Sequence, residues 1–169
     1  MMRRFFYILV AAAVSVTAAA QNSVESLRAM LDSNRVSFKY TISAKDRPQI
    51  GTSGTMLIDG DCYHMSTKGA DIWCDGMTKW TVDSEAKEVY IEKADIRDFL
   101  SNPSAYLDLM EDLKFSDKSV SGVYNEPSQG AAVAFKLTSI KYSPLTGNSV
   151  QFFFDVSVLD DEWVVTDLR

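Results

Sequence analysis

Residues 74–92 read CDGMTKWTVDSEAKEVYIE. Asp75-Gly76 is a turn signal, because an aspartate side chain bonds backbone just beyond itself and glycine takes positive φ without steric cost. The run KWTVD (79–83) then passes through a SEAK turn into KEVYIE (87–92), where Val89 and Ile91 share one face. Apolar residues at period two on both arms of a short polar turn specify an antiparallel hairpin.

Working upstream, the same pattern repeats. FKYTIS (38–43) alternates Phe38, Tyr40 and Ile42; a polar stretch leads to TMLID (55–59); Gly60-Asp61 turns into CYHMS (62–66), which is followed by ADIWC (70–74). Short connections between successive strands imply an antiparallel meander without crossover helices. Before it, NSVESLRAMLDSN (22–34) places Val24, Leu27, Met30 and Leu31 at helical spacing, with Asn22 as cap and Glu25 three residues on, and so reads as a short amphipathic helix.

Downstream the period changes. ADIRDFLSNPSAYLDLMEDLKF (94–115) carries Ile96, Phe99 and Leu100, a break at Asn102-Pro103, then Tyr106, Leu107, Met110 and Leu113, the spacing of two short helices in tandem. Strand patterns return in SGVYNE (121–126), AVAFKLTSIKY (132–142), SVQFFFDVSV (149–158) and EWVVTDL (162–168). In the third of these Val150, Phe152, Phe154, Val156 and Val158 form an uninterrupted apolar face, so a strand is expected there, joined to the last by a hairpin. The expected fold is mostly β with some α (α+β), an antiparallel sheet curled against helices whose apolar faces need a surface to cover.

The first twenty residues, MMRRFFYILVAAAVSVTAAA, combine Arg3 and Arg4, an apolar stretch from Phe5 to Val16, and small residues at Ala18 and Ala20. That is the pattern of a cleaved signal peptide, 1–20, leaving 21–169 as a single exported domain; the apolar run is short for a membrane span. No cysteine follows the small residues to accept lipid. Loss of the two arginines takes Lys plus Arg from 17 to 15 against 23 acids, and the net charge from −6 to −8. Nucleic acid and anionic membrane surfaces are poor partners for such a chain, since phosphate binding needs clustered Lys and Arg. Export permits a disulfide between Cys62 and Cys74. If Thr67-Lys68-Gly69 is a three-residue loop, Ser66 opposes Ala70 and Cys62 opposes Cys74 within bridging reach; a register one residue off sends the two thiols to opposite faces.

The hairpin that opens this section gains meaning from its context. An Asp-Gly turn, a short basic-polar run, a tryptophan and a return arm beginning with an acid and a valine (Asp75, Gly76, Thr78, Trp80, Glu88, Val89) resemble the family of periplasmic outer-membrane lipoprotein carriers called LolA. The first helix, FKYTIS and GTMLIDGDCYHM stand where that family has its first helix and strands, and the likeness extends over about residues 22–115. The resemblance implies an unclosed antiparallel β-barrel in a Gram-negative periplasm, a few short helices forming a lid, and an apolar cavity that takes acyl chains of lipids or lipoproteins for transfer towards the outer membrane. It implies membrane-bound lipoprotein export machinery as a partner, a monomer, and no cofactor. The cavity candidates it suggests are Phe38, Tyr40, Met56, Ile58, Met65, Trp80, Val89, Ile91, Phe99, Leu107, Met110 and Phe154. Trp80 reads at least as well as an ordinary core aromatic, and the methionines read better as core filler than as pocket lining. The chain departs from the family where an arginine-proline pair is usual: Asp59-Gly60-Asp61 stands there, and Arg47-Pro48 lies one turn earlier. Its ending, DVSVLDDEWVVTDLR, is also similar to the last hairpin of small cone-shaped domains of the nuclear-transport-factor-2-like type, which leaves a secreted binding or scaffold module with a filled core as the alternative.

No catalytic motif is present: the sequence has no HExxH, GxSxG, P-loop or dinucleotide fingerprint. The single His64 has no near partner for a nucleophile pair or a metal set, and Asp59 and Asp61 lack the later ligands of a calcium loop. The expectation is a non-enzymatic protein without metal.

Overall fold

A computed structural model describes residues 24–44, 47–95, 103–126 and 131–169. The signal-peptide reading, the Asn22 cap and the helix expected around Ile96, Phe99 and Leu100 lie outside them. Helix α1 is Val24–Ser33 and runs directly into strand β1, Asn34–Ala44. Then follow β2 (Arg47–Asp59), β3 (Cys62–Thr67), β4 (Ala70–Cys74), β5 (Thr78–Asp83) and β6 (Glu88–Lys93). A 3-10 segment, Pro103–Leu109, precedes β7 (Met110–Ser116), β8 (Ser119–Glu126) and β9 (Ala131–Pro144); β10 is Val164–Asp167. All ten strands form one mostly β, unclosed sheet in the order β10-β6-β5-β4-β3-β2-β1-β9-β8-β7.

The opening hairpin forms as its turn chemistry dictates. Asp75 Oδ1 accepts from the backbone N–H groups of Met77 (2.9 Å) and Thr78 (2.7 Å), and Gly76 takes φ +92°. At the far end Asp83 Oδ1 accepts from Glu85 and Ala86, fixing the register that sets Trp80 opposite Ile91 and Val82 opposite Val89.

Four expectations are corrected. The cysteine hairpin closes on two residues rather than three, because Thr67 stays in the ladder: it pairs with Gly54 and Ala70, and its hydroxyl donates to the Ser53 carbonyl. Tyr63 therefore opposes Cys74 and Cys62 opposes Asp59, so the cysteines sit on opposite faces as free thiols and the expected bridge is absent. The second expected helix is only the 3-10 turn; Met110–Ser116 is a strand, whose irregularity between Glu111 and Lys114, with Asp112 at φ +53°, spreads its apolar residues to a spacing that mimics a helix. The strand expected over 149–158 is two 3-10 turns, Ser149–Phe152 and Val156–Val158. Asn148 and Asp155 cap them by accepting from the N–H groups of Val150 and Ser157, which captures the backbone locally before a ladder can form. Val150 (78% exposed) and Val158 (74%) point to solvent, while Phe152 is fully buried. EWVVTDL makes no hairpin with this stretch; β10 pairs in parallel with β6, Val165 beside Val89.

Because opposed residues share a face, the register shows that the sheet carries two cores on opposite sides. On one face Tyr40, Met56, Ile58, Tyr63 and Cys74 cluster, continuing into Leu27, Leu107 and Val120 beneath α1 and the 3-10 segment. On the other, Trp80, Val82, Val89 and Ile91 cluster under the strap 149–163, which contributes Phe154, Val156, Leu159 and Trp163.

Asp59 fastens the strap. Its side chain, 1% exposed, accepts from the Thr146 backbone N–H (3.1 Å) and hydroxyl and lies 3.6 Å from Arg35, whose other nitrogen donates to Gln151 (3.0 Å). Asp59 is thus a structural anchor. Asp59→Ala strands these donors and is expected to cost about 2–3 kcal/mol in urea unfolding, the range for hydrogen bonds to a charged group; a loss below about 0.5 kcal/mol, the size of a neutral surface change, would contradict the anchoring role.

Candidate functional site

The period-two alternation of β1 directs Val36, Phe38, Tyr40 and Ile42 to one face, where Met56 and Ile58 of β2 and Met65 of β3 continue the same surface. From β9 come Val133, Phe135 and Leu137 and then, after a shift of phase at Ser139 (φ +55°), Ile140 and Tyr142. Val120 and Tyr124 of β8, Met110 of β7, Leu107 of the 3-10 segment and Leu27 and Leu31 of α1 complete the lining of a cavity of about 330 Å³. None of the described residues that line it carries a charge.

Two of the tyrosines that line it, Tyr40 and Tyr142, have hydroxyls that their surroundings keep protonated. Tyr40 reaches over Gly54 to donate to the Ser66 carbonyl at 3.3 Å; a Cβ at position 54 would meet the Tyr40 hydroxyl at 2.7 Å and the Ser66 oxygen at 1.9 Å, so only glycine permits this crossing. Burial, and to a lesser degree the charge of Asp71, pushes the Tyr40 hydroxyl above its usual range against a lowering hydrogen bond with Thr67, and burial alone raises Tyr142. Over this face α1 and the 3-10 segment are stitched together by Arg28, which donates to the Ser104 carbonyl (2.6 Å) and to Asp108 (2.8 Å).

Of the residues expected at a cavity, Phe38, Tyr40, Met56, Ile58, Met65, Leu107 and Met110 line this one. Trp80, Val89, Ile91 and Phe154 do not: they belong to the opposite core, with the Trp80 ring packed edge-on against Phe153 at 5.1 Å. Phe99 lies outside the described residues. The sequence reading's cavity candidates missed Leu27 and Leu31 of α1, Val36 and Ile42 of β1 and every wall on β8 and β9, although Val133, Phe135 and Leu137 alternate as clearly as β1 does. His64 Nε2 donates to Asp71 Oδ1 at 2.8 Å and the ring stacks on Trp73 with ring centroids 3.6 Å apart, on the face away from the cavity. Among the described residues no group of three or more His, Cys, Asp or Glu could hold a metal.

Cys62 is partly buried, and burial first, then Cys74, Asp75, Asp59 and Asp61, raises its thiol from the ordinary 9.0 to about 11. At pH 8 its thiolate is therefore about a hundredfold scarcer than in the unfolded chain, and iodoacetamide labelling of native protein should be slower by about that factor, recovering only as pH rises through 11. Equal rates in native protein and in urea would contradict this environment.

Comparison with known proteins finds no family model and no curated protein that matches the chain.

Proposed function

We propose that this protein is an exported, periplasmic carrier that binds acyl chains of lipids or lipoproteins in the apolar cavity and moves them through water towards the outer membrane. The observation that carries the reading is the cavity itself: a space of about 330 Å³ walled by apolar and aromatic side chains, with no charged group among the described residues that line it. A chemistry-bearing site would concentrate ionisable groups, whereas an acyl chain asks only for space away from water, each buried methylene being worth about 0.8 kcal/mol. In this reading α1 and Pro103–Leu109 are the cover through which the chain enters, joined by Arg28 so that they move together. The likeness of Asp75, Gly76, Trp80 and Val89 to the lipoprotein carriers, and the signal-peptide pattern of residues 1–20, support the same conclusion.

The test is native mass spectrometry of the mature protein purified from a Gram-negative periplasm, with extraction of whatever is bound. Acyl-bearing lipid or acylated peptide at near one equivalent is the expected result. Bare protein that also takes up no fluorescent fatty acid would overturn the carrier reading in favour of a secreted binding module.

A further inference from the structure

The sheet has an open end that the cavity does not use. We propose that the outer edge of β10 is a docking site for an extended segment of a partner protein, one that alternates apolar and polar side chains and carries lysine or arginine at the end that meets Asp160 and Asp161. The strand walls of the cavity are β1, β2, β3, β7, β8 and β9, so this edge lies apart from it and does not depend on the carrier reading.

Backbone geometry is the first ground. The sheet order ends at β10 on one side and at β7 on the other. On β10 the Val164 N–H donates to the Lys87 carbonyl (2.9 Å) and the Leu168 N–H to that of Ile91 (2.8 Å). Alternate residues of a parallel strand bond the same neighbour, so Val165 and Asp167 turn their N–H and C=O groups to the open side. Such a row is a template for another strand, and proteins that do not use one blunt it with bulges, proline or lysine. β7 is blunted in this way: its register shifts between Glu111 and Lys114, and Asp112 takes φ +53°. β10 pairs with β6 in unbroken register from Val164 to Asp167 and contains neither proline nor lysine. Its length of 4 residues suits a transient contact rather than a permanent one.

Side chains and charge are the second ground. Val164 (58% exposed), Val165 (43%) and Leu168 (60%) flank the edge, Val165 on the face of Val89 and the other two on the opposite face. Apolar side chains at alternate positions of an added strand would cover them while its main chain completes the ladder. Charge selects the occupant. From 142 to 168 the chain has no lysine or arginine, but it has Asp155, Asp160, Asp161, Glu162 and Asp167. Glu162 pairs with Lys87 and Asp167 with Arg169, whereas Asp160 and Asp161, at the head of β10, meet no cationic side chain among the described residues. A second copy set edge to edge would bring these acids against their like, so repulsion disfavours it and a basic segment is the complement.

The experiment titrates the mature protein with a short peptide of alternating valine and threonine ended by lysine, and with the same peptide ended by glutamate, while amide hydrogen exchange is followed by NMR. The lysine-ended peptide should slow exchange at Val165 and Asp167 and spare β7. Its affinity should fall about tenfold as NaCl rises from about 0.05 to about 0.5 M. N-methylation along the peptide backbone removes its strand donors and keeps its charges, and should abolish the protection. Asp161→Lys, an exposed change outside the sheet, should cost the lysine-ended peptide about threefold and strengthen binding of the glutamate-ended one. No saturable binding by about 1 mM peptide, equal affinity for the two peptides, or protection confined to other strands would overturn the docking edge. Exchange at Val165 that slows with protein concentration alone would assign the edge to a second copy, and slowing by neutral phosphatidylcholine vesicles would assign it to lipid; either result would overturn the proposal. The carrier reading is tested separately, by what the cavity holds.

Discussion

Replacing Trp80 by alanine is expected to destabilise the fold by about 3–5 kcal/mol, the cost of deleting a buried aromatic side chain and leaving a void. It should leave acyl-chain affinity of the folded protein within about twofold of wild type. The two halves of this expectation come from one geometric fact. Trp80 is only 4% exposed and belongs to the cluster with Val82, Val89 and Ile91, where Phe153 packs edge-on against its ring. Every residue in that cluster faces the strap, because Trp80 opposes Trp73 on one side and Ile91 on the other, whereas the cavity is lined from the alternate set: Tyr40, Met56 and Met65. A strand's two faces are separated by its backbone, so the void opens under the strap and not beside the ligand. Urea unfolding gives the first quantity and titration with a fluorescent fatty acid, under conditions where the variant is folded, gives the second. A stable Trp80→Ala protein that has lost its ligand would place the indole in the binding site and contradict the two-core arrangement.

That arrangement shows where the sequence was legible. Strands β1 to β6 announce themselves through period-two alternation and through turns whose chemistry is local: Asp75-Gly76, Asp83 before Ser84–Lys87, and Gly60. Alternation says which residues share a face, so Phe38, Tyr40 and Ile42 are correctly grouped, as are Val89 and Ile91. It does not say which face is covered at which end of the sheet. Trp80 and Tyr40 look alike in sequence, and only the path of residues 145–163, fixed at Asp59 through Thr146, decides that one meets the strap and the other the cavity. The strap was misread for a related reason: five apolar residues at period two favour a strand, but two Asx caps spaced seven residues apart, Asn148 and Asp155, outcompete the ladder, and β6 already gives its free edge to β10. The cysteine register turned on a single hydroxyl, that of Thr67, which a loop-length rule does not weigh. In β7 a positive-φ residue, Asp112, converts strand spacing into apparent helical spacing. The candidate cavity was partly visible: β8 and β9 lie beyond the resemblance, and Leu27, Leu31, Val36 and Ile42 lie within it but read only as helix and strand faces.

The second large effect comes from filling the space. The double variant Ile42→Trp, Leu137→Trp is expected to weaken acyl-chain binding by a hundredfold or more while keeping stability within about 1 kcal/mol of wild type. Both positions line the cavity, Ile42 from β1 and Leu137 from β9, and neither is fully buried. Two indoles in place of two aliphatic side chains take the room of about four methylenes; at about fourfold per methylene the loss of affinity exceeds a hundredfold. The stability term separates an empty cavity from a filled core. Extra atoms forced into a packed interior displace neighbours and cost about 1–3 kcal/mol each, so two such changes in a filled core should lower stability by several kcal/mol. In an open cavity the same rings gain contacts that the wild-type walls lack, and the unfolding midpoint should hold or rise. Thermal and urea unfolding, set beside the same fatty-acid titration, read both quantities. A variant that is folded, unchanged in stability and still binds would place the ligand elsewhere on the molecule; one that loses several kcal/mol would mean that the strands around Tyr40 and Phe135 enclose a core with no room for a guest.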